Sequence, residues 1–144
     1  MSKERFRLPL AVFLILEQDG KIWLQRRANT GYRDGEYDLP SGHVDGGEPA
    51  HIAMVREARE EVGIEIDPND LVGVHVLHNN DGMEYIDIFF KAQKWTGEPK
   101  NNEPEKCDDA GWFPIGELPQ PIIPHVVAVL QEVKAGNVYS TIHW

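Results

Sequence analysis

Residues 42 to 64 read GHVDGGEPAHIAMVREAREEVGI. After Pro49, AHIAMVREAREEV repeats apolar side chains at helical spacing, and Gly63 stands where a left-handed cap ends a helix. At about 3.6 residues per turn, Glu57, Glu60 and Glu61 occupy positions i, i+3 and i+4 and share one face. Ile52, Val55, Ala58 and Val62 fall nearly opposite, as the face to bury against a sheet. Three like charges so placed repel one another unless a cation sits among them. An all-oxygen donor set suits a hard cation, Mg²⁺ or Mn²⁺, better than zinc or copper. Arg56, one turn before Glu60, is placed to orient or neutralise it without taking the cation's position. Gly42, Gly46 and Gly47 let a tight loop fold over the helix start, with backbone groups free to face a ligand. Taken alone, a Glu-rich helix face is most often a solvated surface. The wider pattern carries the functional reading.

Upstream, the apolar run LPLAVFLIL (8–16) is followed by Glu17, Gln18, Asp19-Gly20 and KIWLQRR (21–27). Asp19-Gly20 is a turn signal, so the two runs are expected to form a buried hairpin. The run follows Lys3, Arg5 and Arg7 and superficially resembles a secretory leader. Pro9 interrupts it, however, and no small-x-small site follows. ANTGYRDGEYD (28–38) reads as a loop leading to a turn around Pro40-Ser41-Gly42. Downstream, LVGVHVLH (71–78) and EYIDIFFKAQKW (84–95) read as strands joined by a turn at 79–82. In the second, Ile86, Ile88 and Phe90 share one face, and Tyr85, Asp87 and Phe89 share the other. A loop with Gly97, Pro99 and Pro104 leads to the short apolar segment GWFPI. A second helix then starts at Pro124, with Val126, Val127, Leu130 and Val133 as its buried stripe and Gly136 at its end. Strands, helix, strands, helix predict a mixed sheet covered by helices, an α/β (α+β) fold. His75 and His78 lack any metal-like partner pattern and read as ordinary sheet residues.

The chain has 144 residues, 24 acidic against 14 basic, for a net charge of −10, and is expected to form one domain over 1–144. That balance argues against a protein that grips nucleic acid through its phosphates. It leaves room for small polyanions held through divalent cations. No apolar stretch approaches the ~20 residues that span a bilayer, so no membrane partner is expected. The lone Cys107 excludes an intrachain disulfide and a cysteine-based zinc site. It lies among acidic residues and reads as an inert thiol. A cytoplasmic location is expected.

The spacing G-x5-E-x7-R-E-aliphatic-x-E-E-x-G-aliphatic is filled here by Gly42, Glu48, Arg56, Glu57, Glu60, Glu61 and Gly63. It resembles the signature box of the Nudix (MutT-like) hydrolases. The likeness extends to Arg26 and Arg27 before the box, Leu39-Pro40 entering it, and Trp112-Phe113 and Glu117-Leu118-Pro119 after it. The resemblance implies a Nudix-type α/β/α sandwich with a mixed β-sheet between helices. It implies a metal-dependent hydrolase that cleaves the diphosphate linkage of a nucleoside diphosphate linked to X, by water attack on phosphorus, with Mg²⁺ or Mn²⁺. The expected metal ligands are Glu57, Glu60, Glu61 and the Ser41 carbonyl, with Glu103 or Glu105 as a further ligand or base. Glu57 is the first choice of general base and Glu60 the second. Gly42, Glu48, Arg56 and Gly63 are expected to be structural. Arg27 and Arg26 are expected on substrate phosphates, with a plain surface charge as the alternative. Tyr85, Tyr32, Trp23 and Phe89 either stack on a base or belong to the core.

Two positions depart from the family pattern. Ala58 replaces a larger aliphatic, and His43 stands where some nucleotide-sanitising members carry lysine. After LPQPIIP, this chain has His125, Val126 and Val127 where members that read oxidised purines can present an acidic pair. That weighs against oxidised guanine nucleotides. The alternative function is a catalytically silent nucleotide-binding regulatory module, disfavoured because every box carboxylate is intact. Removal of RNA 5′ caps is disfavoured by the missing basic surface. The protein is expected to be a monomer or a homodimer.

Overall fold

Strand β1 (Leu10–Ile15) explains the architecture, because it is apolar on both faces. In the computed structural model, which describes residues 3–144, Ala11, Phe13 and Ile15 enter one core with Leu77, Phe89, Val126 and Val129. Val12, Leu14 and Leu16 enter a second core with Ala53, Met54, Ala58 and Val62. A strand buried on both sides needs a cover on each. The covers are α1 (Ala50–Val62) on one face and α2 (Pro124–Lys134) on the other. This is the expected α/β/α sandwich.

The strands divide between two sheets. The first is mixed and has five strands in the order β5-β1-β7-β6-β9. Here β5 is Ser41–His43, β6 Leu71–Asn80, β7 Glu84–Ala92 and β9 Tyr139–Ile142. β1 runs parallel to β7 and antiparallel to β5. The second is antiparallel and centres on β3 (Lys21–Arg27). β3 pairs with β2 (Glu17–Gln18), β4 (Tyr37–Asp38) and β8 (Cys107–Pro114).

The N-terminal hairpin differs from expectation. Asp19 and Gly20 do make a turn, both at positive φ, but they join β3 only to the two-residue β2. The chain changes sheets after Leu16. An apolar run that fills both cores gains more beside β7 than as the edge of a hairpin. GWFPI proves to be the end of the longer strand β8, whose acidic start disguised it. β7 stops at Ala92, short of Trp95, and β9 carries no strong sequence signal.

α1 begins after Pro49 and ends at Gly63 with φ 71°, as the sequence predicts. Its buried face is Ala53, Met54, Val55, Ala58 and Val62, whereas Ile52 is exposed. The apolar stripe is thus rotated from the expected one, and Glu61 borders it instead of lying opposite. In α2, His125, Val126 and Val129 are buried, with Val127, Leu130 and Val133 on the flank. His125 was absent from the expected stripe because imidazole breaks an apolar pattern. Trp23 and Phe89 are core residues, and His75 is held in the sheet by Asn137 O and Ser140 Oγ. No helix among the described residues is long and apolar enough to cross a membrane.

Candidate active site

The site is built on the five-stranded sheet, with His125 of α2 also in its lining. Ala11 on β1, His43 on β5, Asp87 on β7 and Asn79 on β6 line a cleft of about 850 Å³, and the last two with Ala11 are buried at its floor. Ser41, Gly42, Glu57, Glu60 and Glu61 line one side, Arg26 and Arg27 another, with Glu103 and Tyr85 also on its wall. The structure therefore brings Glu57, Glu60, Glu61, Glu103, Arg26, Arg27 and Tyr85, all singled out in the sequence, to one cleft. Glu48, Arg56 and Gly63 support it from outside the lining. Glu105 is exposed and off the cleft, so of the two acids in that loop Glu103 is the one on the site.

Close packing explains the box glycine. A Cβ built on Gly42 would lie 2.1 Å from Glu57 Cδ, so only glycine leaves room for that carboxylate. Arg56 is the hub behind it. Its Nη2 donates to Glu48 Oε1 at 2.7 Å, and its Nη1 donates to Glu57 Oε1 at 2.8 Å and lies 3.6 Å from Glu60 Oε2. The same Nη2 reaches the His43 carbonyl at 3.4 Å, which ties the loop to the helix. Glu61 Oε2 accepts the Ser41 N–H at 2.9 Å.

Burial shapes the chemistry of these acids. It pushes the Glu57 carboxyl up; Arg56 pulls back, and the charges of Glu60 and Glu103 add to the rise. Burial pushes the Glu61 carboxyl up to about 8. The Ser41 N–H opposes this, while Glu57, Glu103 and Asp38 reinforce it. Arg56 holds Glu48 below the ordinary carboxylate range.

No group of three or more His, Cys, Asp or Glu side chains is gathered closely enough to hold a metal among the described residues. Glu57 and Glu60 are drawn to Arg56, and Glu61 to the Ser41 N–H. The donor chemistry still fits a hard cation. The half-buried carboxyls of Glu57 and Glu61 are raised partly by neighbouring acids, a repulsion that a divalent ion would relieve.

The arginines are partly committed. Arg27 Nε donates to Tyr32 O at 2.8 Å and Nη2 to Thr30 Oγ1 at 3.2 Å, while Nη1 lies 3.9 Å from Asp38. Arg26 pairs with Asp108 at 2.6 Å. Tyr85 stacks on His43, ring centroids 5.8 Å apart. Tyr32 and Arg33 both bond Asp81 and so clasp the 28–36 loop to the β6–β7 turn. The buried Cys107 thiol donates to Asp109 O, and burial raises it, as expected of an inert group.

Sequence reasoning missed the cleft floor. Asp38, Asn79, Asp87 and His125 are buried there, and His125 Nε2 lies 2.9 Å from Asp38 Oδ1. Burial lowers His125, but the Asp38 carboxylate outweighs it and the net shift is upward. One signal was available: Asp87 interrupts an otherwise aromatic strand face between Tyr85 and Phe89.

An α/β/α sandwich with a glutamate-lined cleft beside a loop–helix–loop defines the class, and comparison with known proteins supplies the family. A NUDIX domain family model matches residues 6–133, and the chain belongs to that family. The 8-oxo-dGDP phosphatase NUDT18 of Mus musculus is 34% identical over 136 residues, covering 93% of this chain and 40% of that protein. The chain thus spans well under half of that relative's length. The ADP-ribose pyrophosphatase of Methanocaldococcus jannaschii is 34% identical over 128 residues, covering 87% of this chain and 74% of that protein. A solved MutT NUDIX hydrolase from Burkholderia pseudomallei superposes with TM-score 0.81 at 28% identity, covering 89% of this chain and 99% of its own.

Proposed function

We propose that the chain is a divalent-metal-dependent hydrolase that cleaves the diphosphate linkage of a nucleoside diphosphate joined to a further group X. The observation that carries this reading is the shared cleft: Glu57, Glu60, Glu61 and Glu103 line it together with Arg26 and Arg27. The matched relatives named for 8-oxo-dGDP and ADP-ribose both act on diphosphates of nucleosides, which supports the same substrate class.

Glu57, Glu60 and Glu61 would hold Mg²⁺ or Mn²⁺, with the Ser41 carbonyl and Glu103 as further donors. Such an ion, when bound, offsets the charge of the diphosphate and lowers the pKa of water. Arg27 keeps donor capacity at Nη1 to orient a phosphate, since a guanidinium carries five N–H groups. Glu57 accepts the proton of the attacking water. Gly42 leaves it the room to act. Glu60, more exposed, is the second choice. Arg56 and Glu48 hold the glutamates in place.

A panel of nucleoside triphosphates, nucleotide sugars and dinucleotides with Mg²⁺ tests the reading. Release of a nucleoside monophosphate and phosphorylated X is expected, and Glu60→Gln and Glu61→Gln should abolish it with the fold retained. Tight binding without turnover across the panel would replace it with a silent nucleotide-binding module.

A further inference from the structure

The cleft floor holds a polar corner that the proposed hydrolysis leaves unused. Asn79 Nδ2 donates to Asp87 Oδ2 at 3.1 Å, and the two residues are only 7% and 2% exposed. Asn79 Oδ1 has no hydrogen-bond partner among the described residues. A buried amide oxygen without a donor is costly, so a ligand that supplies a donor recovers stability. The nearby histidine does not meet this need, because His125 Nε2 is engaged by Asp38.

Strand register shapes the corner. Ala11 pairs with Asp87 on one side and His43 on the other, and Asn79 pairs with Tyr85. The small Ala11 methyl therefore lies between the carboxylate and the imidazole. The stacked His43 and Tyr85 rings and Phe13 add flat surfaces to the same lining. A planar heterocycle suits such surroundings. Its polar edge must offer donors, because Asp87 and Asn79 Oδ1 are acceptors. A base edge built of carbonyls would set acceptor against acceptor.

We propose that Asp87 and Asn79 select the nucleobase, favouring one that presents an exocyclic amino group beside a ring N–H, as guanine does. The inference rests on the hydrolase reading for its substrate class and names the part of the substrate that this chain discriminates. Neither residue belongs to the glutamate box, so both act on specificity and not on the chemical step.

Guanosine and inosine nucleotides differ only in that amino group and provide the test. With Mg²⁺, kcat/KM for GTP should exceed that for ITP by about tenfold or more, carried mainly in KM. Calorimetric titration with GMP and IMP should give the same preference without turnover. Asp87→Asn and Asn79→Leu should bring the two nucleotides within about twofold of each other in both kcat/KM and binding. Equal kinetics and equal binding for the wild-type protein overturn the inference, whatever the variants do, and leave hydrolysis standing. A binding preference with no turnover of any nucleotide supports base reading and defeats the hydrolase proposal instead.

Discussion

Gly42 and Glu57 form one device at the scale of single residues. The backbone at Gly42 lies where any side chain would collide with the Glu57 carboxyl, so Gly42→Ala must move that acid. Turnover should fall by about 10²-fold, the cost of a small misplacement of a reacting group, with little change in far-ultraviolet circular dichroism. Unchanged turnover would remove Glu57 from the chemistry. Glu61 gives a second prediction. Its folded-state pKa of about 8 lies above its ordinary value of 4.5, so between those pH values the folded protein holds a proton that the unfolded chain has released. The stability of the metal-free protein therefore falls as pH rises through that window. His125, also raised, contributes stability that is lost in the same direction as pH passes its folded pKa. Glu61→Gln removes the Glu61 contribution. In urea titrations without metal, the variant should be more stable than wild type at pH 8 and nearly equal at pH 5. Parallel pH profiles would show that Glu61 ionises freely in the fold.

At the scale of elements, the rotation of α1 can be measured. Met54 is fully buried in the second core, whereas Ile52 is exposed. Met54→Ala should cost about 2–5 kcal/mol in urea unfolding, and Ile52→Ala no more than about 0.5. The reverse order would restore the stripe first expected from the sequence. Helical periodicity locates an apolar face only to within about one residue step, and Glu61, at the edge of the buried face, carries no apolar signal to mark it. The helix limits, by contrast, were legible, since Pro49 and Gly63 each carry a local backbone constraint. The box acids were legible as one face through their spacing, and Arg26 and Arg27 only through the resemblance to the family. The partners of β1 and the buried group of Asp38, Asn79, Asp87 and His125 were not. They depend on pairings between segments far apart in the chain, such as Asp38 with His125, which no local pattern records.

For the whole molecule, the net charge of −10 makes the effect of metal ambiguous unless screening is separated from binding. Any cation relieves repulsion among dispersed surface acids. Only a specific site draws more from Mg²⁺ than from sodium at equal ionic strength. If the proposed function holds, the specific contribution is expected at Glu57, Glu60 and Glu61, where neighbouring acids raise the Glu57 and Glu61 carboxyls. A metal at about ten times its Kd adds ~1.4 kcal/mol to stability, roughly 4 °C in Tm for a chain of this size. The expected outcome in thermal melts is that shift with Mg²⁺ over ionic-strength-matched NaCl, and its loss in Glu60→Gln and Glu61→Gln. Identical melts in the two salts would mean that the acids of this chain serve as a dispersed, solvated surface and that the cleft glutamates hold no ion of their own.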